Sequence, residues 1–153
     1  MPCHAAVIEK PLTIAPDMEV EKALKELKKK KQTTAAVVDS KGVLLGSFSI
    51  QGVMRNLLPV SVVMADGIEV DVPIQAAPGI AKRLKKVYPL KVEELMEKKV
   101  AMVMPETPVW ECVNALLRHG TLFVVEGENR KFLGMIDERS ALDELQRLIE
   151  GGE

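Results

Sequence analysis

At 153 residues the chain is long enough for one domain or for two small units, and a unit of about 60 residues buries only about 60% of its unfolded surface, so two such units must share a core. A hydrophobic content of 47% with 28% charged residues excludes a disordered chain, and 3% aromatics offers no stacking platform for nucleic-acid bases. A formal net charge of −1 argues against an electrostatic binder of duplexes, and two cysteines make no disulfide framework.

Leu12 to Ile14 is a short extended run that Ala15-Pro16-Asp17 ends, because Pro16 pushes the residue before it toward β geometry. Asp17 is placed to cap the helix that follows, in which Val20, Ala23, Leu24 and Leu27 recur at helical spacing. Acidic residues at its start and Lys28 to Lys31 at its end both suit the helix dipole, so the basic run reads as a solvated helix end before it reads as a nucleic-acid patch. Beyond Gln32-Thr33-Thr34, the apolar pair Val37-Val38 and the run Val43 to Phe48 flank Asp39-Ser40-Lys41-Gly42 and predict a β-hairpin. A helix from Gln51 to Leu58 follows, stopped by Pro59.

Residues 60–90 are harder to place. Val62 to Met64 and Ile68 to Val72 flank Ala65-Asp66-Gly67 and can pair as a hairpin. Pro78 suits the first turn of a helix with Ile80, Ala81, Leu84 and Val87 inward and Lys82, Arg83, Lys85 and Lys86 exposed. Val92 to Met96 then predicts a short helix, Val100 to Met104 an extended run, and Pro105-Glu106-Thr107 a turn. Val109, Val113, Leu116 and Leu117 mark the face of another helix, with Cys112 on its apolar side as a core thiol and His119-Gly120 at its close. Phe123 to Glu126, a Gly-Glu-Asn-Arg turn and Phe132 to Ile136 predict a second hairpin, and Phe123 reads as a core side chain. Glu138 to Glu150 is the last amphipathic helix, capped by Asp137, with Leu142, Leu145, Leu148 and Ile149 expected inward.

No nucleophile with an adjacent base, paired carboxylates or Gly-rich phosphate loop stands out, so the chain reads as a non-enzyme, and no spacing of Cys and His suggests a metal site. No segment reaches 18 consecutive apolar residues and the N-terminus lacks the layout of a signal peptide, so a soluble, cytoplasmic protein without membrane contact is expected.

The second half echoes the first. Pro16 to Pro105 is an offset of 89, Val38 to Val125 one of 87, and Gly46 to Gly134 one of 88, which means two copies of one unit with a two-residue loss around Thr121-Leu122. The shared features are the turns at Pro16-Asp17 and Pro105-Glu106, the runs Val37-Val38-Asp39 and Val124-Val125-Glu126, and the hairpin arms at Gly46 and Gly134, each leading into a helix. This layout resembles a tandem pair of CBS domains, often called a Bateman module. The resemblance implies an α+β fold of two β-α-β-β-α repeats about a pseudo-twofold axis. It places the first repeat at residues 7–59, an inter-repeat insertion at 60–90 and the second repeat at 91–150. It also implies a regulatory role, a homodimer, and clefts that take AMP, ADP, ATP or S-adenosylmethionine.

In that family the second hairpin arm commonly reads Gly, two apolar residues, Thr or Ser, two variable residues, then an Asp that holds the ribose hydroxyls. Here Ser49 keeps the hydroxyl while Gly52 and Ser140 occupy the two Asp positions, and Arg139 stands at a phosphate-facing position. By the same resemblance the adenine would lie against backbone near Thr13-Ile14 and Thr34-Ala35-Ala36, in one cleft that involves Ser49 and Arg139. Without either ribose carboxylate the alternative is a ligand-free module that binds an unidentified protein partner.

Overall fold

The computed structural model describes residues 11–57 and 79–151, and in it each half of the chain builds a three-stranded sheet flanked by helices. The first half runs β1 (Thr13–Ile14), α1 (Val20–Lys30), β2 (Thr34–Val38), β3 (Leu44–Ser49) and α2 (Ile50–Arg55). Two short helices, α3 (Ile80–Val87) and α4 (Val92–Leu95), lie in a connecting segment between the two sheets, residues 79–101, which takes in the first residues of the second repeat. After it β4 (Met102–Val103), α5 (Val109–His119), β5 (Thr121–Glu126), β6 (Lys131–Asp137) and α6 (Glu138–Glu150) repeat the succession. The α+β architecture of two β-α-β-β-α units is therefore present. The hairpin expected within residues 62–72 and the start expected at Pro78 lie outside the described residues.

The two sheets share their register as well as their order. In both, the first strand pairs parallel to the second and the second antiparallel to the third. Val37 faces Gly46 and Val124 faces Gly134, and each ladder shifts register one residue later, at Val37/Val38 and at Val124/Val125. The two-residue loss falls slightly upstream of the expected place, at the helix-to-strand connection. Residues 31–33 join α1 to β2, whereas Gly120 alone joins α5 to β5. A link that short reverses direction through a left-handed residue, and Gly120 adopts φ +78°.

The first core gathers Ile14, Val20, Leu27, Val37 and Phe48, and it is completed by Val87 and Val92 from the connecting segment. A smaller second core holds Cys112, Leu116, Leu122, Val124 and Ile136. Between them Ala36, Leu44, Phe123, Val125 and Met135 form a third cluster that neither repeat could close alone. At the same seam the Leu44 N–H donates to the Arg130 carbonyl at 2.9 Å and the Phe132 N–H to the Gly42 carbonyl at 2.9 Å, so the hairpins are joined edge to edge.

The helix faces show where periodicity misjudged orientation. Val20, Ala23 and Leu27 of α1 are fully buried as expected, but Asp17 does not cap the helix. Glu19 holds the cap position in extended conformation, and carbonyls of the connecting segment satisfy the first turn: Val20 N–H donates to Leu90 at 2.8 Å and Glu21 N–H to Tyr88 at 3.1 Å. In α3 only Leu84 and Val87 turn inward, leaving Ile80 and Ala81 exposed, because the helix meets the first core by its C-terminal end. In α5 the buried positions are Val109, Cys112 and Leu116, and Leu117, one residue on and about 100° around the helix, is 80% exposed. In α6 the buried residues are Ala141 and Glu144, with Leu142 and Ile149 outside. Glu144 is accommodated because Arg147 grips both its carboxylate oxygens, which holds the carboxyl below its usual range through that hydrogen bonding.

Candidate functional site: two adjoining clefts between the repeats

The strand-to-helix joints of the two repeats face each other across the seam, and a cleft opens at each. The first, of about 470 Å³, is lined by Thr33, Thr34, Ser49, Gly52, Arg55 and Asn56 from the first repeat. Leu95, Glu97 and Lys99 line it from the connecting segment, and His119, Gly120, Thr121 and Phe123 from the second repeat. The second cleft, of about 520 Å³, is lined by Lys30 to Thr34 on one side and by Gly120, Thr121, Met135, Asp137, Glu138 and Arg139 on the other. Thr33, Thr34, Gly120 and Thr121 belong to both and form the wall between them. Both volumes fall in the range of small-molecule sites.

Ser49 ends β3 and caps α2, its Oγ accepting from the Gly52 N–H at 3.0 Å. A hydroxyl that accepts one bond keeps its own proton to donate, so Ser49 retains a donor at the cleft. Its counterpart in the second repeat is Asp137, whose Oδ1 accepts from the Ser140 N–H at 2.8 Å while Ser140 Oγ accepts from the Asp137 N–H at 3.0 Å. Asp137 thus caps α6 as expected. Ser140 is committed to that cap, its hydroxyl also lying 3.2 Å from the Asp137 carbonyl, and it lines neither cleft.

The remaining expected site residues divide. Thr34, Ser49 and Gly52 meet in the first cleft, and Arg139 lies with Thr34, Lys30 and Lys31 in the second. Ser49 and Arg139, expected to share one cleft, line different ones, because the joints that carry them stand on opposite sides of the Thr34–Thr121 wall. Ile14, Ala35 and Ala36 are buried among the strands, and with Thr13 they line neither cleft. Sequence reasoning passed over Arg55, Glu97 and Lys99. Arg55 looks like any exposed helix residue, and Glu97 with Lys99 sits in a charged stretch whose place depends on long-range contacts.

Those contacts fix the stretch firmly. Ser47 and Glu97 exchange backbone hydrogen bonds of 2.9 and 2.8 Å, which lays the connecting segment along β3. Gly46 permits the approach, since a Cβ there would stand 2.4 Å from the Glu97 carbonyl oxygen. Among the described residues no helix is long and apolar enough to cross a membrane, and no cluster of three or more His, Cys, Asp and Glu is placed to hold a metal ion.

Comparison with known proteins agrees with this fold. The family model for the CBS domain matches twice, over residues 5–59 and 92–147. Among solved structures, a CBS domain-containing protein of unknown function from Bacillus anthracis is similar at 19% identity and a TM-score of 0.73, over 96% of this chain and 94% of that one. CBSX2 from Arabidopsis thaliana, a CBS-pair protein, is similar at 20% identity and a TM-score of 0.73, over 97% and 96%. CBSX2 in complex with AMP is similar at 18% identity and a TM-score of 0.70, over 97% and 98%. No curated protein matches the chain. With the family model covering both halves and their sheets in the same register, the chain belongs to the CBS domain family and is a tandem CBS pair.

Proposed function

We propose that this CBS pair is a regulatory module that takes an adenosyl ligand into the first cleft and acts as a homodimer on a partner protein. The observation that carries the reading is the make-up of that cleft: Ser49 and Gly52 of one repeat, Arg55 and Lys99 as cations, and Gly120-Thr121 of the other repeat line one cavity. A ligand held there touches both repeats and the segment that connects them. Its binding free energy is therefore linked to their relative arrangement, which is what a regulatory module requires. The similarity to CBSX2, whose structure was solved with AMP, supports an adenine nucleotide first. CBS pairs are generally regulatory modules, and we assign this one no reaction.

Melting curves with AMP, ADP, ATP, S-adenosylmethionine and NAD test the reading. At a hundredfold excess over the dissociation constant a ligand adds about 2.7 kcal/mol, which at this size raises the melting temperature by roughly 5–11 °C. Flat curves across millimolar concentrations of all five contradict it.

A second reading, a ligand-free interaction module, draws on a different observation. Trp110 is 69% exposed and Leu117 80% exposed on α5, and Ile149 is 76% exposed on α6, so the second repeat turns an apolar helical surface outward. Both readings use that surface, the first as the homodimer contact and the second as the partner site.

A further inference from the structure

We infer that Glu97 sorts ligands in the first cleft: its carboxylate accepts hydrogen bonds from a pair of neighbouring hydroxyls, while Arg55 and Lys99 take an anionic end. The inference deepens the adenosyl reading and rests on it. Among the described residues that line the cleft, Glu97 is the single acidic side chain. Its main chain is held in register by the paired hydrogen bonds to Ser47, and the bare backbone of Gly46 lets it sit close against β3. Its Oε1 accepts a long bond of 3.3 Å from the Lys99 N–H, which orients the carboxylate and leaves Oε2 for another donor.

The charges in the cleft are also not paired with one another. Among the described residues Glu97 forms no ion pair with Arg55, Lys99 or any other cation. A carboxylate only accepts hydrogen bonds, and guanidinium and ammonium groups only donate them. Such a cleft therefore selects a molecule with hydroxyl donors at one place and an anion at another. A nucleoside monophosphate, with its ribose diol and phosphate, has that layout. The carboxylate comes from the connecting segment, so diol recognition would draw that segment onto the ligand together with both repeats.

The test is calorimetric titration of the full chain with AMP and with 2′,3′-dideoxy-AMP, which keeps the base and phosphate but lacks both hydroxyls. Wild type should bind AMP about 10- to 100-fold more tightly than the dideoxy analogue, the worth of one or two hydrogen bonds to a charged group. Glu97→Gln should lose most of that margin on AMP and leave dideoxy-AMP unchanged. Adding Gly52→Asp to Glu97→Gln should restore part of it, since position 52 lines the same cleft and a Cβ there meets Ser49 Oγ at 3.3 Å and the Leu95 carbonyl oxygen only at 4.0 Å. Equal wild-type affinity for the two ligands overturns the inference without any variant, and so does an equal loss on both in Glu97→Gln. Wild type that binds neither ligand overturns the inference, and flat melting curves with all five ligands overturn the adenosyl reading as well.

Discussion

Gly46 lacks a side chain where the Glu97 carbonyl needs the space, since a Cβ there would stand 2.4 Å from that oxygen. Gly46→Ala should cost about 1–3 kcal/mol from forced displacement, read as a lower denaturant midpoint, and an unchanged midpoint would show that the segment can lift away. Gly52 is a different case, where a Cβ would meet a movable hydroxyl at 3.3 Å and the Leu95 carbonyl oxygen only at 4.0 Å. Gly52→Asp should fold normally and bind an adenosyl ligand more tightly than wild type, measured by titration; no gain would argue that the cleft is closed to ribose for another reason. The Glu144–Arg147 pair supplies a pH signature. The Glu144 carboxyl is lowered chiefly by its hydrogen bond to Arg147, so its contribution to stability is present above the ordinary carboxylate value and fades as pH falls through the lowered one. The stability gap between wild type and Glu144→Gln should therefore be present at pH 7 and shrink in acid, and a gap that does not change with pH would sever it from that ionisation. Ser49, Gly52 and Arg139 could be singled out from the chain because the family's motif, which the chain resembles, puts its ligand-facing positions at fixed steps along one hairpin arm and the helix after it. Glu97 could not, because its position depends on a bond to Ser47, 50 residues away in sequence.

At the scale of elements, the two helices for which the sequence offers an Asp cap are capped by different means. α6 is capped by its own Asp137, while α1 takes backbone carbonyls from Leu90 and Tyr88. In return the connecting segment receives carbonyls from the first repeat, with Val92 N–H donating to Met18 at 2.8 Å and Glu93 N–H to Pro16 at 3.0 Å. Asp137→Ala should therefore cost about 0.5–2 kcal/mol, whereas Asp17→Ala should stay within about 0.5 kcal/mol, both by equilibrium unfolding. Equal losses would mean that Asp17 caps α1 after all. Helical period and turn chemistry made nearly every described element legible, since both are local. Which face of a helix points inward is not local. The i, i+4, i+7, i+8 reading of α5 counted Leu117 as core together with Val109 and Leu116; Val109, Cys112 and Leu116 are buried as expected, and Leu117 is not.

At the scale of the whole molecule, the near-constant offset between halves revealed the tandem arrangement before any contact was known. It could not reveal that Val87 and Val92 complete the first core, or that the joints bearing Ser49 and Arg139 open into separate clefts with a common wall. The repeats are similar in fold and unlike in chemistry. Trp110 and Leu117 on α5 stand where the first repeat places Glu21 and Lys28 on α1, so the apolar helical surface belongs to the second repeat. Trp110→Glu with Leu117→Glu should convert the proposed homodimer to monomers in light scattering without lowering the melting temperature of the monomer. A wild type that is monomeric at all concentrations would assign that surface to another protein. The central claim, that a ligand in the first cleft bridges both repeats and their connection, is tested most directly by hydrogen–deuterium exchange of wild type with and without saturating AMP. The account predicts slower exchange in residues 49–55, 97–101 and 119–121 together. Protection in one repeat alone, or none at saturation, would contradict it.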